Sequence, residues 1–309
     1  MEYISKTLDF HDDEPSVISF GKFDGLHRGH EFLMEKQIEQ SNLHGYKRII
    51  FTFDIPPKSE VLGIESKVII TNDEKEYVFE ESGVDYLIEC PFVPEVMNME
   101  ADVFVRWIVK NLNVKCIVVG NDFHFGHNRA GDHRLLAQMA DEMGYELIVV
   151  DKIKDGDRDI SSTYIREEIA AGHIGKANEL LGYPFFIKGK VVHGRQIGRT
   201  IGIPTVNLTI PQEKLLPPNG VYMTKILVKD NWYLGVTNIG CKPTISGENP
   251  IGAETYIIDF SQNVYGQEIM VELHEFIRPE MKFDSIEELK GQMSADINRT
   301  IRYAAGHTL

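Results

Sequence analysis

Cysteine is scarce in this sequence, with only Cys90, Cys116 and Cys241 among 309 residues. They are far apart and form neither a CxxC pair nor an even-numbered disulfide framework. Such sparse use is typical of a reducing compartment, so we expect a cytoplasmic protein. Long apolar runs are also lacking, because stretches such as Leu147–Val150 are too short to cross a bilayer. The acidic first residues contain no apolar segment, which argues against a secretory signal.

Net positive charge is absent as well, because 32 Lys and Arg face 47 Asp and Glu, for a formal net charge of −15. Nucleic-acid binding rests on excess positive charge, so we expect no nucleic-acid partner. A small phosphorylated ligand is compatible with this net charge if positively charged side chains are concentrated at its binding site. The cationic side chains in Gly-rich or polar connecting stretches are His27, Arg28, His30, His124, His127, Arg129, Arg158, Arg166, His193, Arg195 and Arg199. The ordinary alternative is that these are simply solvated loop residues.

The first half of the chain alternates short β-branched runs with amphipathic helical patterns. The expected strands are Val17–Phe20, Arg48–Phe53, Val84–Ile88, Cys116–Gly120 and Glu146–Val150. Helices are expected over about 30–43 and 72–83, around Phe104–Leu112, and around Leu135–Met143. This alternation predicts an α/β domain with a mostly parallel sheet covered by helices. Ligands of such sheets bind beyond the carboxyl ends of the strands.

The pattern changes near residue 183. Short strands separated by Gly and Pro turns follow: Phe186–His193, Thr205–Ile210, Val221–Val228, Trp232–Asn238, Glu254–Phe260 and Glu268–Glu275. They predict a small antiparallel β-barrel. A last helix begins with a Ser285/Glu288 capping box, and its apolar stripe from Ile286 to Ile301 is expected to pack on the barrel. We therefore expect two domains, residues 1–182 and 183–309.

The stretch from Gly21 to His30, GKFDGLHRGH, follows the first strand and opens the first helix. Gly21 and Gly25 let the backbone approach a ligand, and a helix N-terminus suits phosphate groups. His27 and His30 are spaced to face the same phosphates. Two alternatives stay open, namely a metal pair, for which further ligands at suitable spacing are missing, and plain helix capping.

Two later loops indicate the same kind of site. VGNDFHFGHNRAGD is a Gly-rich turn after the fourth strand, and ISSTYIR places hydroxyls at a helix start with Arg166 one turn on. Such hydroxyls can hold phosphate oxygens while Arg166 adds a charged guanidinium fork; the alternative for one of the hydroxyls is plain helix capping. The nucleotide-binding candidates of this first site are Gly21, Phe23, Asp24, Gly25, Asp122, Ser161, Ser162 and Thr163.

A second candidate site lies in HGRQIGRTIGIPTVNL, from His193 to Leu208. This stretch is neither a Walker loop nor a dinucleotide fingerprint, and alone it is weak evidence because Gly-rich turns are often barrel corners. Thr205 and Asn207 strengthen it, since a hydroxyl and an amide oxygen are hard ligands for Mg²⁺. The nucleotide-binding candidates here are Gly194, Arg195, Gly198, Arg199, Gly202 and Pro204.

These segments resemble the bacterial bifunctional riboflavin kinase/FMN adenylyltransferase (FAD synthetase) family. In the first half the resemblance rests on GKFDGLHRGH, VGNDFHFG and ISSTYIR, in order, and in the second half on the His193–Leu208 stretch with LPPNGVY, GVTNIGCKPT and AETYIIDF. It spans about Val17 to Arg302. The resemblance implies a Rossmann-like nucleotidyltransferase domain followed by a six-stranded riboflavin kinase barrel with a terminal helix.

The resemblance also implies two Mg²⁺-dependent reactions with ATP as co-substrate: riboflavin gives FMN, and FMN gives FAD. It assigns the α-phosphate of ATP to His27 and His30, Mg-ATP to Thr205 and Asn207, and the flavin ribityl chain to Glu254. Because a 5′-hydroxyl is a poor nucleophile, a carboxylate base is chemically required, and Glu254 is our candidate. The alternative for Glu254 is an outward-facing strand glutamate. The expected partners are therefore riboflavin, FMN and ATP, without a membrane partner, while the oligomeric state is left open.

The sequence departs from the family pattern in several places. It reads Phe53-Asp54-Ile55-Pro56-Pro57 where the family has F-D-P-H-P. His124 replaces a common arginine, and Val206 and Tyr256 replace alanine and histidine. The missing second-strand histidine motivates the main alternative, a riboflavin kinase with a weak or inactive adenylyltransferase domain. A flavin-binding regulator and adenylyl transfer to another phosphate-bearing acceptor are further alternatives.

Overall fold

The structure is a computed structural model that describes residues 1–54, 67–194, 198, 202–241 and 251–306. The chain forms two compact units, Met1–Ser162 and Thr163–Leu309. In the described part of the chain, no helix is both long enough and apolar enough to cross a membrane.

The first unit contains a six-stranded sheet whose neighbouring strands are all parallel. Its strands are β1 (Glu2–Ser5), β2 (Ser16–Phe20), β3 (Lys47–Asp54), β4 (Tyr86–Pro91), β5 (Val114–Gly120) and β8 (Glu146–Val150). Their order is β1-β4-β3-β2-β5-β8. From β2 onward the chain therefore runs outward in both directions from the β2/β5 pair, and a crevice for ligands is expected beyond the carboxyl ends of these two strands.

Helices connect the strands of this sheet. They are α1 (Arg28–His44), α2 (Asn72–Glu81), α3 (Pro94–Met97), α4 (Ala101–Asn111) and α5 (His133–Met143). Local sequence signals explain their ends. Thr71 and Glu74 form a reciprocal capping box at the start of α2, and α1 and α5 end at Gly45 and Gly144, both with positive φ. The predicted α/β architecture is confirmed.

Two short hairpins follow the carboxyl ends of β5 and β8. The first pairs β6 (His124–Phe125) with β7 (Gly131–Asp132), and the second pairs β9 (Lys154–Asp155) with β10 (Arg158–Asp159). Because they follow the carboxyl ends of their strands, these hairpins bring loop residues to the edge of the sheet where the first site was predicted.

An aromatic core covers one face of the sheet. Phe51 on β3 makes edge contacts with Phe10, Phe104 and Trp107 at ring-centroid distances of 5.6, 6.0 and 6.5 Å. Phe104 and Trp107 lie on α4, so this helix is held to the sheet by large apolar side chains. Rigid packing of this kind fixes the strand ends on which the site residues stand.

The second unit begins with two helices and continues as a closed barrel. The helices are α6 (Ser162–Ala170) and α7 (Ile174–Leu181). The barrel strands are β11 (Phe186–Val192), β12 (Thr205–Leu208), β13 (Gly220–Val228), β14 (Asn231–Cys241), β15 (Ile251–Ile257) and β16 (Glu268–Arg278). All pairs are antiparallel and close in the order β11-β12-β15-β14-β13-β16. The predicted six-stranded barrel is confirmed.

The barrel contains a row of buried hydroxyl groups. Thr224, Thr237 and Thr255 are fully buried, and their Oγ1 atoms are linked at 3.0 and 2.9 Å. Each threonine hydroxyl therefore has a hydrogen-bond partner in a neighbouring threonine, which offsets the free-energy cost of burying the three polar groups. Because successive strand residues point to opposite faces, Glu254 next to Thr255 faces away from this row.

The terminal helix α8 (Ile286–Gly306) packs on the barrel differently from the sequence expectation. Tyr303 packs against an apolar cluster on the barrel, but the ends of the predicted stripe, Ile286 and Ile301, are 56% and 44% exposed. The two ends of the stripe therefore do not pack on the barrel as expected. A polar contact takes its place, because Asp296 is buried and pairs with Arg278 of β16 at 2.8 Å.

Candidate active sites

The first candidate site is built on the loop between β2 and α1. Within this loop Phe23, Gly25 and Leu26 all have positive φ, at 48°, 89° and 29°. This run of left-handed residues turns the chain sharply from strand to helix. Gly21 fixes the start of the turn, since its N–H donates to the carbonyl of Phe51 on β3 at 3.2 Å.

His27 and His30 lie together at the start of α1. Their rings stack with centroids 3.9 Å apart and an interplanar angle of 28°. His27 occupies the N-cap position, but its side chain makes no capping hydrogen bond, so plain capping does not explain it. In the described part of the chain, no group of three or more His, Cys, Asp or Glu residues could hold a metal ion, which gives the metal-pair alternative no support.

Burial keeps the two imidazoles neutral. It lowers the pKa of His27 to about 4, partly offset by a backbone hydrogen bond and by the charge of Asp122. The pKa of His30 lies well below its ordinary value, mainly through burial and secondly through His27. The Nδ1 atoms of both rings are buried without a hydrogen-bond partner. A neutral imidazole carries one N–H donor, so the pair can donate hydrogen bonds to phosphate oxygens at pH 7 without carrying charge.

Gly29 makes room for the His27 ring. A Cβ atom at this position would lie 3.1 Å from both Cε1 and Nδ1 of His27. That distance is tighter than ordinary van der Waals contact, so a side chain here would push the imidazole away. Glycine at the second position of α1 is therefore explained by the histidine it accommodates.

Phe23 and Asp24, predicted to bind nucleotide, make mainly structural contacts. Phe23 is fully buried between His30 and Phe79, at centroid distances of 5.0 and 5.5 Å. The Asp24 Oδ1 atom accepts hydrogen bonds from the backbone N–H groups of Ile69 and Ile70, at 2.8 and 3.3 Å. These residues hold the loop in place, and direct contact with a nucleotide stays a prediction.

The ISST segment also reaches this loop. Ser162 Oγ donates to the Asp24 carbonyl oxygen at 2.7 Å, which joins two predicted motifs that are 138 residues apart. Ser161 precedes α6, while Thr163 and Arg166 follow on α6 within the second unit. The structure thus gives the Ser162 hydroxyl a contact within the first site.

Asp122 lies at the carboxyl end of β5 and is paired with a lysine. Its Oδ2 atom is 2.9 Å from Lys152 Nζ, and Lys152 Nζ is 3.6 Å from Asp159 Oδ2. The Asp122 carbonyl oxygen accepts a 2.8 Å hydrogen bond from His124 Nδ1. The sequence analysis did not single out Lys152, because a lysine in a polar hairpin carries no motif; only its place shortly after a predicted strand could have pointed to it.

The second candidate site lies on the outer face of the barrel. Thr205 Oγ1 on β12 donates a 2.5 Å hydrogen bond to Glu254 Oε1 on β15. Asn207 is the direct cross-strand partner of Glu254, so the three predicted side chains share one face of neighbouring strands. Asn207 is buried, and a side chain at Gly194 would collide with its amide group. The structure therefore brings Gly194, Thr205, Asn207 and Glu254 together.

The Gly-rich stretch before β12 is described only in part. Gly198 O accepts a 2.8 Å hydrogen bond from Ile203 N, and Gly202 has a φ of 80°. Pro204 is exposed beside them. Arg195 and Arg199 lie outside the described residues, as do Ile55, Pro56 and Pro57 of the second-strand segment and the side chain of Cys241.

A cavity of about 360 Å³ opens next to Thr205. It is lined on one side by Pro204–Val206 and on the other by Phe260–Tyr265. At its edge the ring of Tyr265 stacks on His193 with centroids 3.8 Å apart. The volume lies in the range of small-ligand sites, so the cavity is large enough for part of a nucleotide.

Two family models match the chain in order. A model described as FAD synthetase matches residues 9–164, and one described as riboflavin kinase matches residues 181–304. A relative from Listeria monocytogenes, named bifunctional riboflavin kinase/FMN adenylyltransferase, is 33% identical over 301 residues, which cover 97% of this chain and 96% of the relative. The chain belongs to the bifunctional riboflavin kinase/FMN adenylyltransferase family.

Further relatives agree over nearly the whole chain. A protein of the same name from Bacillus subtilis is 36% identical over 293 residues, covering 93% of this chain and 92% of its own length. A solved structure titled as a macrolide-efflux protein from Streptococcus pneumoniae superposes with a TM-score of 0.86 and 32% identity, over 97% of this chain and 98% of that chain. The resemblance drawn from the motifs is confirmed, as are the parallel-sheet domain and the closed barrel.

In this member of the bifunctional riboflavin kinase/FMN adenylyltransferase family, a further polar pair lies beside the second site. Asn238 on β14 is the cross-strand partner of Glu254, and its Nδ2 donates to Glu280 Oε1 at 3.2 Å. The carboxylate of Glu280 rests against Gly240, where a side chain would collide with it. The sequence analysis missed this pair, because Glu280 follows β16 and meets Asn238 only through barrel closure.

Proposed function

We propose that this chain makes FAD from riboflavin in two successive reactions, one in each unit. Riboflavin and ATP give FMN and ADP on the barrel, and FMN and ATP give FAD and pyrophosphate at the sheet. The presence of both family domains favours this function over a kinase with an idle first half. The observation that carries the proposal is the hydrogen bond between Thr205 and Glu254, with Asn207 directly opposite.

In the kinase reaction, Glu254 acts as the general base. Its carboxylate takes the proton of the riboflavin 5′-hydroxyl as the hydroxyl oxygen attacks the γ-phosphorus of ATP, and the bond to the β-phosphate oxygen breaks to release ADP. Thr205 orients this carboxylate by donating a short hydrogen bond to Oε1. In this proposal the other carboxylate oxygen, Oε2, accepts the proton.

Thr205 and Asn207 would hold Mg²⁺ at the kinase site. A hydroxyl and an amide oxygen beside a carboxylate form a hard oxygen donor set, which fits this ion, and Mg²⁺ commonly keeps several waters besides one or two protein ligands. Close packing of Gly194 against the amide fixes the side chain of Asn207. When bound, Mg²⁺ would offset the negative charge of the ATP phosphates. We assign the cavity beside Thr205 to the nucleoside part of ATP.

In the adenylyl transfer, the first unit positions reactants and needs no general base. The FMN phosphate is ionised at pH 7, so one of its oxygens can attack the α-phosphorus of ATP directly while pyrophosphate leaves. The neutral imidazoles of His27 and His30 donate hydrogen bonds to the oxygens of this phosphorus. Among the other candidates, Gly21, Gly25 and Ser162 shape the loop that carries the two histidines.

The remaining assignments are proposals of the same kind. We place the adenylyltransferase domain at residues 1–182 and the kinase domain at 183–309, and the family matches that end at 164 and begin at 181 support a junction between them. Arg166 is assigned to phosphate binding, with Ser161 and Thr163 beside it in sequence. We propose a cytoplasmic location, where ATP is plentiful and the buried thiols of Cys90 and Cys116 stay reduced.

Product analysis of the purified chain tests this proposal. Incubation with riboflavin and Mg-ATP should give FMN and then FAD, resolved by chromatography. Glu254→Gln should lower FMN formation about 100-fold or more while adenylylation of added FMN persists. The control Glu268→Gln removes an exposed barrel glutamate paired with Lys188 and should leave both activities unchanged. The His27→Gln/His30→Gln double variant should lose FMN adenylylation and keep riboflavin phosphorylation.

The outcomes separate the alternatives. Accumulation of FMN without FAD would show that the chain acts only as a riboflavin kinase. Flavin binding without ATP consumption would indicate a flavin-binding regulator. Loss of both activities in Glu254→Gln, with a normal melting temperature, would contradict the assignment of separate sites.

A further inference from the structure

The first site combines a charged substrate with uncharged histidines. Under the proposed function, on which this inference rests, the site must bind the phosphate chain of ATP beside the phosphate of FMN. Burial holds the pKa of His27 at about 4 and that of His30 below its ordinary value, so neither ring carries a positive charge at pH 7. Hydrogen bonds from neutral groups to phosphate are weaker than those from cations. A cation beside the histidines, in addition to the proposed Arg166, would strengthen phosphate binding.

Lys152 has the position that such a cation needs. It follows β8 and reaches the carboxyl end of β5, where Asp122 Oδ2 lies 2.9 Å from Nζ. Asp122 in turn is close enough to His27 for its charge to favour the protonated imidazole. The ammonium group of Lys152 is therefore paired with a carboxylate whose charge acts on His27, at the carboxyl edge of the sheet next to the switch point of the strand order.

The contacts of Lys152 leave it available to a ligand. An ammonium group has three N–H donors, and Asp122 and Asp159 occupy two directions at 2.9 and 3.6 Å. The side chain is 38% exposed, so its remaining donor can be reached from solvent. The hydrogen bond to Asp122, with the charges of both carboxylates, raises the pKa of Lys152, which keeps it protonated.

We propose that Lys152 binds the phosphate chain of ATP in the adenylyltransferase site, and that Asp122 and Asp159 hold its ammonium group in position. In the reaction an FMN phosphate oxygen forms a bond to the α-phosphorus, the bond from this phosphorus to the bridging oxygen breaks, and its electron pair leaves on pyrophosphate. No proton has to move. Lys152 stabilises the negative charge that develops on the departing pyrophosphate. Asp122 then contributes to nucleotide binding by positioning Lys152, without contacting the nucleotide itself.

A purely structural ion pair is the competing explanation. The side chains of Asp122 and Asp159 are 61% and 42% exposed, and exposed ion pairs contribute little to stability. A structural role therefore predicts little change in either melting temperature or catalysis when Lys152 is replaced. The two explanations differ in their kinetics.

The test compares Lys152→Met with Lys154→Met, a matched change of an exposed lysine on β9. With saturating FMN, Lys152→Met should lower kcat/KM for ATP in FAD formation about 10- to 100-fold, as expected for losing a charged hydrogen bond. Riboflavin phosphorylation and the melting temperature should not change, and Lys154→Met should behave as wild type. Lys152→Arg should restore part of the loss, because it keeps the charge.

Two failures can be told apart. A wild-type chain that forms no FAD from FMN would end the proposed function of the first unit. A wild-type chain that forms FAD, with Lys152→Met retaining its full kcat/KM for ATP, would overturn the assignment of Lys152 alone. An equal loss for Lys154→Met would overturn it too, since the effect would then reflect overall charge.

Discussion

Protonation of His27 should destabilise the first unit, and the size of the effect follows from the fold. The side chain is buried beside His30, with its Nδ1 lacking a partner. Burial lowers the pKa of His27 from 6.5 to about 4. In the unfolded chain the imidazole takes up a proton near pH 6.5, whereas the folded chain resists it until about pH 4. Stability from neutral His27 is thus fully present above pH 6.5 and lost as the pH falls to 4.

The difference between 6.5 and about 4 corresponds to about 3 kcal/mol, at 1.36 kcal/mol for each pH unit. His27→Gln removes this dependence, because glutamine does not titrate. Titratable groups that do not contact His27 contribute equally to both proteins and cancel in the comparison. The difference in unfolding free energy between wild type and His27→Gln should therefore shift by about 3 kcal/mol between pH 7.5 and pH 4.

Urea unfolding followed by tryptophan fluorescence can measure this difference. The sequence has two tryptophans, Trp107 in the aromatic core of the first unit and Trp232 on the barrel. In a Trp232→Phe background, the signal reports the first unit alone. Imidazole resonances in NMR give the pKa directly. A titration midpoint for His27 near 6.5, or a wild-type-minus-variant difference that is constant over the pH range, would refute the reasoning.

Two further predictions concern packing. Gly29→Ala should slow FMN adenylylation about 10- to 100-fold, because the added methyl group displaces the His27 ring. The melting temperature should be unchanged or slightly higher, since alanine favours the helix. Equal adenylylation rates for the variant and the wild type would show that the methyl group does not displace the ring. Asp296→Ala should lower the stability of the barrel unit by about 3 kcal/mol, because Arg278 loses its buried partner, with Asp296→Asn less affected. Urea midpoints from Trp232 fluorescence measure this, and an unchanged midpoint would show that α8 does not depend on the pair.

Much of the fold could be predicted from periodicity. Five of the six strands of the sheet and the six barrel strands were located within a few residues, because alternating patterns and Gly turns bound them clearly. The edge strand β1 was missed, since four residues carry too little pattern. The packing of α8 was predicted in part, because the ends of its apolar stripe are exposed and the stripe does not reveal the charged pair of Asp296 and Arg278.

The geometry of the candidate sites was predictable where motifs are local. His27 and His30 stand three residues apart, so their meeting at the start of a helix follows from spacing. The contact between Thr205 and Glu254 needed the family resemblance, because it depends on which strands pair. No motif and no family resemblance indicated Lys152. It joins the site through a neighbouring strand, and pairings between distant loops are not encoded in any short stretch of sequence.

If Glu254 is the base of the kinase reaction, as proposed, riboflavin phosphorylation depends on correct pairing of the barrel strands. Thr205 and Glu254 are 49 residues apart in the chain and meet only through the ladder between β12 and β15. A slip of one residue in that ladder would turn the glutamate toward the threonine row inside. As the barrel is destabilised, the rate of FMN synthesis should therefore fall before unfolding is detected by spectroscopy. The enzymatic rate would then be the more sensitive measure of small distortions in the pairing of β12 and β15.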